Sequence, residues 1–155
     1  MAPKQTGIHV VARNRKARHE FTIEDTYEAG LVLVGSEVKS LRTGDCSINE
    51  AYAGPRDDEL YLFDMHIAPY AQATIDKPEP TRPRKLLLHR KELARIISQI
   101  SQKGYTLVPL SVYFKAGHAK VEIALAQRRK IHDKRRASEE RTRREDVRRE
   151  LGRRR

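Results

Sequence analysis

The strongest constraint on how this 155-residue chain folds is a strict period of two toward its C-terminal third. In Lys120-Val121-Glu122-Ile123-Ala124-Leu125, the residues Val121, Ile123 and Leu125 share one face and Lys120 and Glu122 the other. That is the pattern of a strand with one side buried. Leu110, Val112 and Phe114 repeat it one segment earlier, and Ala116-Gly117-His118 supplies the turn of a hairpin. Leu60–Ile67 alternates too, which predicts Tyr61, Phe63, Met65 and Ile67 on a common face. Further strands are expected over His19–Ile23, Leu31–Val34 and Ala51–Gly54.

Two segments change period. Arg90–Lys103 sets Leu93, Ile96, Ile97 and Ile100 at helical spacing, with Gly104 placed to end the helix. Ser36–Arg42 is shorter, with Ser36 as cap, Val38 and Leu41 as its apolar edge and Gly44 as its stop. Pro78, Pro80 and Pro83 exclude regular structure from Asp76–Arg84, which reads as a surface loop. Many short antiparallel strands must hide their edges, and closure does so. The expected fold is therefore mainly β (α+β), an antiparallel β-barrel with two or three helices. Among small barrels, the oligonucleotide-binding type suits a basic chain of this length.

Charge divides the chain. The formal net charge is +11, and residues 128–155 hold 14 Lys and Arg against 6 Asp and Glu. That segment's only apolar side chains larger than alanine are Ile131, Val147 and Leu151. They bury too little surface to offset the entropy of ordering the segment. The expected organisation is a flexible N-terminus over 1–12, an RNA-binding barrel over 13–127, and a basic tail over 128–155. The tail is expected to be disordered when free and helical once phosphates neutralise it.

The excess of cations directs the search toward polyanions. No apolar run approaches the length that crosses a bilayer, and Met1–Val10 holds no secretory apolar stretch. A cytoplasmic, monomeric protein with no membrane partner is expected. Cys46 is the only cysteine, so neither an internal disulfide nor a cysteine-rich zinc site can form. His9, His19, His66, His89, His118 and His132 lack metal-ligand spacing, and no metal or cofactor is expected. No phosphate-cradling glycine loop or nucleophile elbow is present. His19-Glu20 with Glu37 is the one acid–base grouping to weigh, and polar residues at strand ends or helix caps account for it better.

Binding signals are stronger. Arg13-Asn14-Arg15-Lys16-Ala17-Arg18-His19 sets four cations and an amide together. The cations suit phosphates, and Asn and His suit a base edge or a sugar hydroxyl. Arg82-Pro83-Arg84-Lys85 forms a second cationic cluster beside Leu86-Leu87-Leu88, two of which are expected in the core. Aromatic residues make up only 6% of the chain, which favours recognition of a folded RNA by shape over stacking of many bases.

Five strings then occur in order: Asn14-Arg15-Lys16-Ala17-Arg18-His19-Glu20, Glu28-Ala29-Gly30, Gly35-Ser36-Glu37-Val38-Lys39-Ser40-Leu41-Arg42, Arg84-Lys85-Leu86-Leu87-Leu88 and His132-Asp133-Lys134-Arg135. In sequence and spacing, from about Val10 into the tail, the chain resembles the small protein B family, the protein partners of transfer-messenger RNA. The resemblance implies an oligonucleotide-binding-type barrel without catalytic activity. It also implies binding to the transfer-RNA-like domain of that RNA and its delivery to stalled ribosomes, where incomplete peptides are tagged for proteolysis. Asn14, Glu28 and Leu87 match family positions implicated in that binding. Arg15, Lys16, Arg18, Lys39, Arg42 and Lys85 are expected around them as phosphate contacts. In the tail, His132, Asp133, Lys134 and Arg135 match the segment needed on the ribosome. His132 suits stacking on a decoding-centre base, and Arg129 and Lys130 suit ribosomal RNA phosphates.

On this reading the barrel fills the space of a missing anticodon arm, and the tail enters the message channel only when that channel is empty. The chain departs from the family pattern at Gln127-Arg128-Arg129-Lys130, where a Gly-Lys-Lys run is common. The hinge between barrel and tail is thereby in doubt. Ser36 stands where Thr or Trp is frequent. The alternatives are a structural ribosomal or ribosome-assembly protein, and an RNA-processing enzyme using His19 or His66.

Overall fold

In the computed structural model, the described residues are 7–70 and 78–129, with Arg141 and Arg148 beyond them. The alternating segments form the hairpin that their period requires. Strand β8 (Thr106–Lys115) runs antiparallel to β9 (His118–Arg128), with Lys115 opposite His118 and Tyr113 opposite Lys120. Ala116 and Gly117 make the turn with φ of 50° and 79°. Both are left-handed, as a two-residue hairpin turn with the right twist demands. His118, expected in the turn, is the first residue of β9.

The other strands are β1 (Ile8–Arg13), β2 (Phe21–Leu31), β3 (Cys46–Ser47), β4 (Tyr52–Arg56), β5 (Glu59–Phe63), β6 (His66–Ile67) and β7 (Arg84–Leu87). The hydrogen-bonded order β8-β4-β5-β7-β2-β9 returns to β8, so these strands form a closed ring with every pairing antiparallel. Closure leaves none of the six with an open edge along its whole length, as the pattern of short strands requires. β4 meets β8 near Leu107, while β1 pairs alongside Ser111–Lys115. β3 and β6 form a separate small pair.

Inside the ring lie Val121, Ile123 and Leu125 with Val112 and Phe114, as expected. Leu110 departs from that expectation. The register shifts between Pro109 and Ser111, and Leu110 turns to the outer face, packing with Ala17, Val108, Ala124 and Ala126. Leu60–Ile67 departs as well. Leu60 and Leu62 point inward with no exposure, whereas Tyr61 and Phe63 stay half-buried outside. Asp64, with φ of 58°, breaks the strand and reverses its parity, so that Met65 and Ile67 then enter the core. Alternation across such a residue does not keep one face.

Helix α1 (Ala17–Glu20) occupies part of the expected strand His19–Ile23, and β2 begins only at Phe21. Residues 8–12, expected to be flexible, belong to the paired strand β1; residues 1–6 lie outside the described residues. β2 ends at Leu31, so Val32 and Val34 are not strand residues. α2 (Gly35–Arg42) starts one residue early, with Val34 at its cap in place of Ser36. The Val34 N–H donates to Glu37 Oε1 at 3.0 Å, which satisfies one of the helix's free amides. α3 (Arg90–Lys103) matches its expected span and ends at left-handed Gly104 (φ 65°). Its Ile96 is fully buried, and Leu93, Ile97 and Ile100 pack against the core.

Candidate nucleic-acid interface

The bulge in β8 and one in β2 between Ile23 and Asp25 divide the outer face of β2, β9 and β8 into two halves. One half is apolar: Phe21, Ile23, Val108, Leu110, Ala124 and Ala126, capped by Ala17 of α1. That contact fixes the cationic segment on the outside of the ring, where Arg15, Lys16 and Arg18 are exposed. Asn14 is held twice from β8: its N–H donates to Leu110 O at 2.8 Å and its Nδ2 to Pro109 O at 3.2 Å. Its Oδ1 is buried without a partner among the described residues. A buried acceptor left unpaired is costly, and a donor on an incoming ligand would relieve that cost.

The other half is polar. Glu28 stands opposite Glu122 on β9, and Gly30 stands opposite Lys120 there and Leu87 on β7. Glu28 Oε2 accepts from Tyr113 Oη at 2.6 Å, and Lys115 Nζ lies 3.3 Å away. The Tyr113 hydrogen bond, supported by Lys115 and Lys120, holds the Glu28 carboxyl below its ordinary pKa. Burial, with the bond to Glu28, pushes the Tyr113 phenol up. Glu28 is thus a fixed anion beside Lys115 and Lys120, with Glu122 across the ladder, and is suited to accept from a base or sugar donor.

Leu87 is 54% exposed, while Leu86 is buried and Leu88 half-buried. Gly30 is the neighbour that makes room for it: a Cβ there would come within 3.3 Å of the Leu87 Cβ. Leu87 also lines a cleft of about 800 Å³ with Lys85, Arg90, Leu93 and Ile97. Lys85 lies 4.0 Å from Glu59, a spacing that leaves its charge available. Asn14, Arg15, Lys16, Arg18, Glu28, Lys85 and Leu87 therefore all stand on the outside of the ring.

Lys39 and Arg42 do not join them on the strands. They stand on α2, whose Leu41 is in the core. The Arg42 guanidinium lies 4.7 Å over the ring of Phe114, an inward residue of β8, and Lys39 lies 5.5 Å over Tyr70. Of the second cationic cluster only Lys85 stays available, because Arg82 and Arg84 turn to Glu37. Arg84 is fully buried and donates Nε to Glu37 Oε2 at 2.8 Å, with Nη2 to Pro80 O at 3.0 Å and Nη1 to Met65 O. Arg82 pairs with the same carboxylate. Burial alone would raise the Glu37 pKa, but hydrogen bonds from Arg82, the Val34 N–H and Arg84 outweigh it and hold the group low. Burial lowers Arg84, and Glu37 counters it. Glu37 is thus a structural anion, not a partner of His19. Cys46 is likewise unreactive, its thiol pushed up to about 11 by burial and by Asp45.

Of the tail, Arg128 and Arg129 are described in full; Lys130, His132, Asp133, Lys134 and Arg135 lie outside the described residues. Arg128 is still in β9, opposite Phe21 and 5.9 Å over its ring. The Arg129 N–H donates to Glu20 O at 2.9 Å. The strand therefore runs one residue beyond the expected end of the barrel at 127, and Arg129 after it is tied to α1. Among the described residues there is no helix long and apolar enough to cross a membrane, and no group of three metal-ligating side chains.

Residues 11–153 match the model of the SmpB protein family. The chain is 49% identical over 151 residues to an SsrA-binding protein of Acidothermus cellulolyticus, covering 97% of this chain and 95% of that protein. It is 54% identical over 149 residues to an SsrA-binding protein of Anaeromyxobacter sp. (strain Fw109-5), covering 96% and 90%. Among solved structures it resembles, at 48% identity and a TM-score of 0.63, a chain described under "tmRNA-SmpB: a journey to the center of the bacterial ribosome". That likeness covers 77% of this chain and 84% of the other.

Proposed function

The chain belongs to the SmpB protein family, and from that premise we propose how it meets its RNA. It binds transfer-messenger RNA and acts with it on the ribosome in trans-translation, the rescue that tags incomplete peptides. It does so by binding, with no chemistry of its own, in the cytoplasm. The RNA's transfer-RNA-like domain lies along the outside of the ring. Asn14 and Glu28 take its base or sugar donors, Leu87 packs against an exposed base or sugar, and Arg15, Lys16, Arg18 and Lys85 hold phosphates. Lys39 and Arg42 extend the phosphate contacts from α2. The basic extension from Lys130 onward, with His132, Asp133, Lys134 and Arg135, follows the message channel of the ribosome as a helix, its cations on ribosomal RNA.

The observation that carries this reading is Leu87. A leucine 54% exposed on the outer side of the ring, opposite Gly30 and so two residues along from Glu28, sets an apolar side chain next to a fixed carboxylate. Binding of the isolated transfer-RNA-like domain, measured across salt concentrations, tests it. Leu87→Asp should weaken binding at every salt, and Arg15→Ala should lower the slope of log K against log salt by about 1. Unchanged affinity in both variants would remove the interface from this face.

A further inference from the structure

Resting on the reading that RNA lies against Asn14 and Leu87, we propose that Tyr52, Phe63 and Tyr61 form a stacking platform for unpaired nucleobases of that RNA, spanning the outside of the ring between those two positions. Tyr52 on β4 stands directly opposite Phe63 on β5, their centroids 5.3 Å apart and their planes 26° from parallel. Tyr61 follows at 6.4 Å from Phe63. Ala53, Leu60 and Leu62 take the inward positions between them, so the three rings share the outer face. Gly54 stands opposite Tyr61 and adds no side chain to the strip. Tyr52 is 48% exposed. An exposed ring backed by two half-buried ones offers an incoming base a face to stack on, because every base has a face to stack.

Both ends of the row reach residues already assigned to RNA. Tyr52 lines a cleft of about 140 Å³ with Asn14, Phe21 and Thr106. Tyr61 stands opposite Lys85, two residues from Leu87. The surrounding charge tells which part of a nucleotide fits. Arg56 lies 5.9 Å over the Tyr61 ring and Lys85 adds a second cation, but Glu50, Asp57, Asp58 and Glu59 border the strip. Those carboxylates turn phosphates away from the rings. The platform thus takes the faces of bases whose backbone runs along the cations, and its contribution does not depend on counterion release.

The chain has no tryptophan, so Tyr52→Trp in the full-length protein introduces a single fluorescent reporter on the strip. Addition of the transfer-RNA-like domain should quench its emission. Tyr52→Ala should weaken that binding about 10-fold with the salt slope unchanged, measured at a temperature where thermal unfolding shows both proteins folded. If emission and affinity are both unaffected while Leu87→Asp still weakens binding, the platform is refuted and the interface stands. If Leu87→Asp is also without effect, the interface falls with it. If Tyr52→Ala spares RNA binding but lowers affinity for ribosomal proteins, the strip is a protein-docking surface and the proposal is overturned.

Discussion

At the residue scale, the cations divide by what surrounds them. Arg15, Lys16 and Arg18 are exposed and remain available to phosphate, whereas Arg84 is sealed against Glu37. No reading of the sequence joins Glu37 to Arg84, because 47 residues separate them and the link exists only once α2 packs beside β7. A run of basic residues beside a proline therefore looked like surface. The pair has a measurable consequence. Removing one partner leaves a buried charge uncompensated, so Glu37→Gln should cost about 3 kcal/mol at neutral pH. Glu37 has its pKa depressed below the ordinary 4.5. Its contribution is therefore complete above that value and is lost as pH falls through the lower, folded one. Urea unfolding at pH 7 and near pH 3 should show the difference between the two proteins shrinking with acid. A constant difference would mean that Glu37 matters by shape alone.

At the element scale, legibility followed locality. The β8–β9 hairpin was readable because its alternation and its turn are contiguous, and α3 because Leu93, Ile96, Ile97 and Ile100 repeat within one segment and Gly104 ends it. β5 was misread for a local reason that alternation cannot reveal. A single left-handed residue, Asp64, reverses the parity, so the rings of Tyr61 and Phe63 lie outside and the row with Tyr52 went unnoticed. The presence of an Asp in an aromatic run was the available signal, since Asp tolerates that conformation better than branched residues. Asp64→Val should destabilise the protein by about 1–2 kcal/mol, and Asp64→Gly should be neutral or slightly stabilising. Urea midpoints at constant m-value check this. Equal effects of the two would place the cost in a lost side-chain contact rather than in the backbone. α1 escaped notice because four residues carry no helical period; only Ala17 against β8 and β9 explains it.

At the scale of the whole molecule, the question is where the ring ends and the basic extension begins. Charge alone set the division at residue 128, because the counts change there. Hydrogen bonding sets it later: Arg128 faces Phe21 in the β2–β9 ladder, and the Arg129 N–H closes on Glu20 O at the end of α1. α1 carries Arg18 and follows directly on Arg15 and Lys16, so a cut before Arg128 removes support from the RNA face as well as the extension. Truncation after Arg129 should leave thermal stability and binding of the transfer-RNA-like domain intact and abolish peptide tagging on stalled ribosomes. Truncation after Gln127 should lose about 1 kcal/mol for the missing bond, lower the unfolding temperature and weaken RNA binding as well. Should the two truncations behave alike in unfolding and in RNA affinity, Arg128 and Arg129 would be mere leader to the extension, and the independence of RNA capture from ribosome engagement would have to come from somewhere other than this junction.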